Sequence, residues 1–223
     1  MKVTIKNLHV IRTLINKSPE MLFEITLKKD SSRKYKDILE AAEENKIQIN
    51  FKHDLSAVCK APIVRDIKFD QYELGNLVVV LDEVQDTRNL GSCLRSASFF
   101  GVDAIIIPKN NSADYANPAV IETSTGGIYD LKLYKVSNIS QTIQQLKENG
   151  YWISGFSEHG SNFIDRDKLN EKNVLIFGNE EKGIRQLVQK SCDQILKIKQ
   201  IGQTSSLNVS VATAIALYEA TKT

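Results

Sequence analysis

Apolar positions along the chain recur with two periods, and these divide it into elements. Residues 8–16 carry Leu8, Ile11, Leu14 and Ile15 at helical spacing. Residues 21–27 alternate instead, with Phe23, Ile25 and Leu27 on one side, the pattern of a half-buried strand. Ser31 and Ser32 precede a charged stretch whose Tyr35, Ile38, Leu39 and Ala42 face one way, so a capped helix is expected over 33–45. A strand at 47–51, a short helix at 55–60 and the tail of a third strand at 67–69 complete a small α/β unit over residues 1–70. The polar stretch DQYELGN follows, and residues 71–76 read as a linker.

From residue 77 onward, strands and helices alternate. Strands are expected at 77–81, 104–107, 131–136, 151–156, 174–177 and 194–198. Between them lie helices at 89–100, 117–125, 137–149 and 183–191, and a last helix spans 207–222. Pro118 suits a first helical turn, Gly126-Gly127 stops that helix, and Gly150 caps the next. Repeated strand-then-helix units predict a mostly parallel sheet with helices on both faces over residues 77–223.

Composition narrows the class. With 223 residues, 42% hydrophobic and 25% charged, the chain has ordinary globular content, which argues against extended disorder. A net charge of +2 permits nucleic-acid binding through a local patch without demanding it. Lys28, Lys29, Lys34, Lys36, Lys52 and Lys60 make the N-terminal unit basic, either as a solvated face or as a contact surface for phosphates. Cys59, Cys93 and Cys192 are far apart and form no CxxC pair, so free thiols in a reducing compartment are expected, with no zinc site and no disulfide framework. The first 21 residues fit neither a signal peptide nor a membrane span, so a cytoplasmic protein with no membrane partner is expected.

Three stretches carry candidate chemistry. The first, LDEVQDTRNLGSCLRSASFFG, ends a buried strand in acids and enters a helix bearing Asn89 and Arg95, at the strand end where open α/β sheets bind ligands. The second, FGNEEKGI, has Gly178 and Gly183 around a turn holding Glu180. The third, IKQIGQTSSLNVSVA, is a small polar loop with Ser205 or Ser206 as a natural N-cap and Asn208 in the first helical turn. Taken singly, each is equally the profile of a capped helix after a buried strand. Neither the dinucleotide-binding glycine fingerprint nor a P-loop occurs, which removes a nicotinamide-dependent dehydrogenase.

Together and in this order, the three stretches resemble the motifs of the SpoU/TrmH group of SPOUT RNA methyltransferases. Asp82 to Arg95 matches the first, Gly178 to Gly183 the second, and Ser206 to Ala212 the third without a gap. More weakly, Leu8-His9-Val10-Ile11 and Leu14-Ile15 are similar to the start of the N-terminal domain found in 23S rRNA methyltransferases of the group, related in fold to ribosomal proteins that bind RNA. The resemblance implies a C-terminal domain with a trefoil knot, a homodimer, and methyl transfer from S-adenosyl-L-methionine to a ribose 2′-hydroxyl without a metal. It places Gly178, Ile198 and Leu207 on the cofactor. Arg95 becomes the catalytic candidate, with Asn89, Glu180, Ser206 and Asn208 orienting it and the ribose. A guanidinium is almost always protonated, so stabilising the developing alkoxide and fixing a phosphate suits Arg95 better than taking a proton.

The chain departs from the group in two places. Ile198-Lys199-Gln200 stands where the group carries Ile-Pro-Met, which is expected to loosen the approach to the third motif. Ala61-Pro62-Ile63-Val64 stands where rRNA-type members carry His-Gln-Gly. The expected substrate is a guanosine of 23S rRNA. A tRNA ribose methyltransferase and a non-catalytic RNA-binding assembly factor with the same fold are the alternatives.

Overall fold

The computed structural model describes residues 1–67, 74–204 and 206–222. Two sheets organise them. The first is built from β1 (Lys2–Ile5), β2 (Leu22–Leu27), β3 (Gln48–Phe51) and β4 (Ser56–Lys60), in the order β1-β4-β2-β3, with α1 (Leu8–Lys17) and α2 (Lys36–Glu44) packed on it. β4 runs antiparallel to β1 and β2, and β2 and β3 are parallel. The second sheet opens with β5 (Val64–Arg65), then β6 (Leu77–Asp82), α3 (Thr87–Phe99), β7 (Ala104–Pro108), α4 (Pro118–Thr123), β8 (Lys132–Val136) and α5 (Ile139–Glu148). It continues with β9 (Trp152–Phe156), β10 (Asn162–Phe163), β11 (Asn173–Gly178), α6 (Gln186–Ser191), β12 (Gln194–Lys197) and α7 (Val209–Ala220). Its order is β10-β12-β9-β11-β6-β7-β8-β5, and its strand pairs are parallel.

Alternation along the central strands explains the layers. Val79 and Leu81 of β6, with Leu175 and Phe177 of β11, face the core shared with α3, α4 and α7. Val78, Val80, Val174 and Ile176 face the opposite core, under α5 and α6. A strand buried on both faces is continuously apolar, as these two are. Each such side chain contributes roughly 1.5–3 kcal/mol by leaving water.

Several expectations are corrected. Residues 55–60 are not helical: β4 lies there, because β1 and β2 flank it and supply a ladder on each side. β1 and the two-residue β10 were not anticipated. α2 begins at Lys36, not at 33; a 3-10 turn at Lys29–Ser31 precedes it, and Tyr35, which makes no side-chain capping bond, holds the N-cap. Phe23 leaves the inward side of β2, because the register shifts between Leu22 and Glu24 and turns Phe23 outward. α6 starts at Gln186, after a turn in which Gly183 has φ 66°. Of the strand expected at 67–69, Ile67 is outside any strand, and residues 68 and 69, like most of the expected linker, lie outside the described residues. β5 sits ahead of that linker in sequence yet pairs with β8 of the larger sheet. No helix among the described residues is long and apolar enough to cross a membrane.

The two sheets meet through α4 and the turn after it. Glu122 Oε1 accepts from the backbone N–H of Lys6 at 2.6 Å and of Asn7 at 3.2 Å. Asn7 in turn caps α1, its Oδ1 accepting from His9 and Val10. The Tyr129 hydroxyl donates to the Lys60 carbonyl at 2.7 Å. Substituting Glu122→Ala strands both donors and is expected to cost about 1–2 kcal/mol. Hydrogen exchange checks this: the amides of Lys6 and Asn7 should exchange faster, while those of β6 and β11 keep their protection.

Candidate active site

β6 and β11 are neighbours and parallel, so their carboxyl ends open on the same side. The chain also changes direction here: β7 and β8 extend the sheet to one side of β6, while β9 and β12 lie beyond β11. Ligands of open α/β sheets bind at such a reversal. The first and second motif stretches leave the sheet at this junction.

A buried charge ties them together. Asp82, the last residue of β6, is 0% exposed. Its Oδ1 accepts from Arg185 Nε at 2.9 Å and from Nη2 at 2.5 Å, and its Oδ2 accepts from the Arg185 backbone N–H at 3.1 Å. Arg185 Nη1 also reaches Glu83 Oε1 at 3.1 Å. Hydrogen bonding to Asp82 raises the guanidinium above its ordinary range. Sequence reading missed Arg185: it sits 103 residues from its partner, and nothing local distinguishes it from a surface arginine. Glu83 follows at φ 63°, a left-handed conformation uncommon for a side chain of this kind. Asn179 Nδ2 donates to the Glu83 carbonyl at 3.0 Å and binds the second stretch to the first.

Gly178 is required by close approach. A methyl group there would lie 2.0 Å from the Gly183 carbonyl carbon, because Asn179 and Gly183 exchange both backbone hydrogen bonds across the turn. That turn presents Glu180 toward α3, where Asn89 Nδ2 donates to Glu180 Oε1 at 2.9 Å. Asn208 Nδ2 donates to Asn89 Oδ1 at 3.0 Å. The structure therefore joins Glu180, Asn89 and Asn208, one from each stretch, in a single hydrogen-bonded chain.

The caps differ from expectation. Asp86 caps α3, which begins at Thr87 rather than 89, by accepting from the Asn89 N–H at 2.8 Å. Asn208 caps α7, its Oδ1 accepting from Ser210 N–H at 2.8 Å; Ser206 is exposed ahead of the helix, and Ser205 lies outside the described residues.

Arg95 is not part of that chain. Six helical residues past Asn89, it points roughly 120° away around α3. It is exposed, and its side chain has no ion-pair or hydrogen-bond partner among the described residues.

The loop after β12 carries Ile198, half-buried, with Ile201 91% exposed and Leu207 also exposed. Gln200 braces the loop: its Nε2 donates to the carbonyls of Gly202 and Thr204, both at 2.8 Å. The loop that the departure from Ile-Pro-Met was expected to loosen is thus braced by the Gln200 side chain, which stands at the Met position. Phe156 and Phe177, near the carboxyl ends of β9 and β11, stack with centroids 4.6 Å apart. Exposed apolar side chains beside loop backbone suit an adenosine-bearing ligand, whose base offers an apolar face and a polar edge.

Residues 76–218 match the SpoU rRNA Methylase family. The chain belongs to this family. As a SpoU methylase, it is 31% identical to the Escherichia coli K12 protein named 23S rRNA (guanosine-2′-O-)-methyltransferase RlmB, over 100% of this chain and 99% of that one. The SpoU methyltransferase AviRb of Streptomyces viridochromogenes, solved in complex with AdoMet, superposes with a TM-score of 0.79 at 21% identity, over 99% of this chain and 89% of that one. The A. aeolicus TrmH/SpoU tRNA modifying enzyme gives 0.57 at 26% identity, over 66% of this chain and 74% of that one.

Two expectations follow for this SpoU methylase. Arg185→Ala leaves Asp82 buried and unpaired and should lower the unfolding free energy by about 3 kcal/mol, measured by urea denaturation. The cysteines should be inert. Burial raises the Cys59 thiol and pushes those of Cys93 and Cys192 up to about 12, so at pH 8 only about one part in ten thousand of either is thiolate. Iodoacetamide at pH 8 should label none of the three until denaturant is added.

Proposed function

We propose that the chain transfers a methyl group from S-adenosyl-L-methionine to the ribose 2′-hydroxyl of a guanosine in 23S rRNA, as a cytoplasmic homodimer. The observation that carries this reading is the hydrogen-bonded chain Glu180–Asn89–Asn208, which unites the three motif stretches of a SpoU methylase at the switch point of the sheet. The name of the full-length Escherichia coli relative supports rRNA and guanosine as substrate. The tRNA-modifying enzyme covers only 66% of the chain, against 100% for the Escherichia coli relative, which favours rRNA over tRNA.

Gly178, Ile198 and Leu207 hold the cofactor, by backbone and apolar contact. When bound, it supplies a methyl group on a sulfonium, an already activated leaving group, so no metal is needed. Arg95 holds the phosphate beside the target and stabilises negative charge as it develops on the 2′-oxygen, as preorganised donors do, while the hydroxyl proton passes to solvent water. Asn89, Glu180, Ser206 and Asn208 orient the ribose, and holding the reacting groups together contributes much of the rate. Arg95 stands apart from that chain within one copy, which is the reason for proposing the homodimer: a second copy completes the site. The C-terminal segment forms the trefoil knot of the group. Residues 1–70 form the RNA-binding domain, residues 71–76 the linker and residues 77–223 the methyltransferase domain.

With methyl-labelled S-adenosyl-L-methionine and unmodified 23S rRNA, the protein should transfer label, and Arg95→Ala should reduce transfer at least 100-fold with the fold retained. An active Arg95→Ala protein contradicts the assignment, and transfer to tRNA alone replaces the substrate. Lys29→Glu with Lys52→Glu should weaken rRNA binding roughly tenfold at low salt and leave cofactor affinity unchanged; unaltered rRNA affinity would make the basic face a solvated surface only.

A further inference from the structure

The exposed side of α3 carries, beside Arg95, an aromatic residue that the transfer reaction does not use. Arg88, Ser92, Arg95 and Phe99 follow one another at intervals of four, three and four residues, so they line one stripe of the helix. Arg88 and Arg95 are exposed, and neither has an ion-pair partner among the described residues. Phe99 ends the stripe with its side chain 81% exposed. Its ring contributes little to the core, whereas the adjacent Phe100 packs against it. The two rings meet edge to face, with centroids 5.1 Å apart and planes at 84°. Phe100 thus restrains the Phe99 ring from one side and leaves most of its surface in water.

The last turns of α3 also adjoin the N-terminal unit. A methyl group at Gly126 would sit 3.1 Å from Thr13 of α1, and one at Gly127 would sit 2.9 Å from Ser98 of α3. The Gly126-Gly127 turn therefore brings α1 close to the segment holding Arg95 and Phe99.

We infer that Phe99 is a stacking platform for an unpaired RNA base next to the ribose held at Arg95. The inference rests on the proposed reaction and names how its substrate is gripped. Arg95 and Phe99 are separated by about 6 Å along the helix axis, short enough for one RNA strand to touch both. Aromatic rings receive splayed bases in single-stranded RNA, and flanking arginines fix the phosphates between them. The neighbours of Phe99 along the stripe are two arginines and a serine, which complement a polyanion. The stacking is sequence-tolerant, because every base has a π-face.

The test compares Phe99→Ala, Phe99→Leu and Phe99→Trp with the wild type on unmodified 23S rRNA transcript. Filter binding reads affinity without the cofactor, methyl transfer reads KM, and analytical ultracentrifugation reads the oligomeric state. Losing one stacked base should weaken RNA affinity and raise KM by roughly 5- to 150-fold for Phe99→Ala and Phe99→Leu. Phe99→Trp should match or exceed the wild type, with cofactor affinity and oligomeric state unchanged throughout. Full RNA affinity in Phe99→Ala, rescue by Phe99→Leu, or a change of oligomeric state overturns the platform. A wild type that transfers no methyl group, but loses RNA affinity on Phe99→Ala, preserves the platform and overturns the reaction instead.

Discussion

A carboxylate cannot stay buried at the end of a central strand without compensation, and Asp82 receives it from Arg185. The pairing fixes more than one charge. Both the side chain and the backbone N–H of Arg185 reach Asp82, so the start of α6 is held against the end of β6. The intervening turn then has little freedom: Gly178 admits Gly183 at backbone distance, and Asn179 is clamped to the Glu83 carbonyl. Glu180 can leave that turn only toward α3, where Asn89 receives it. Asn89 in turn meets Asn208, which caps α7. Removal of Arg185 would loosen each of these links in order, so stability and site geometry depend on the same interaction.

Most of the larger sheet was legible because its strands are buried on both faces and read as apolar runs, such as residues 77–81 and 104–107. Its helices were legible through caps and glycines, Pro118 and Gly150 among them. The smaller sheet was harder. Residues 55–60 became a strand because β1 and β2 flank them, a tertiary cause with no local mark. β1 did carry the signal, since Val3 and Ile5 are buried while Lys2 and Thr4 are not, but four residues of alternation are a weak pattern. The motif residues were readable through their order along the chain and the resemblance it carries. Arg185 was not, because its role arises only when β6 and β11 lie side by side.

The site also shows what a single copy does and does not assemble. Glu180, Asn89 and Asn208 converge, and Gln200 braces the loop after β12. Arg95 stays outside this convergence, on the solvent side of α3 with Phe99. One face of the helix thus orders the site while another stays exposed, and the Gly126-Gly127 turn sets α1 beside the last turns of the helix. The contact of Glu122 with Lys6 and Asn7 holds the N-terminal sheet in place relative to it.

The central claim is that the product is a 2′-O-methylated ribose in rRNA. Its most direct measurement is alkaline hydrolysis of 23S rRNA after incubation with the protein and methyl-labelled S-adenosyl-L-methionine. Alkali cleaves through a free 2′-hydroxyl, so a methylated ribose survives with its 3′ neighbour as a dinucleotide. The account predicts that the label appears in one alkali-resistant dinucleotide whose 5′ residue is guanosine. Label released in mononucleotides would place the methyl group on a base, and would contradict the account.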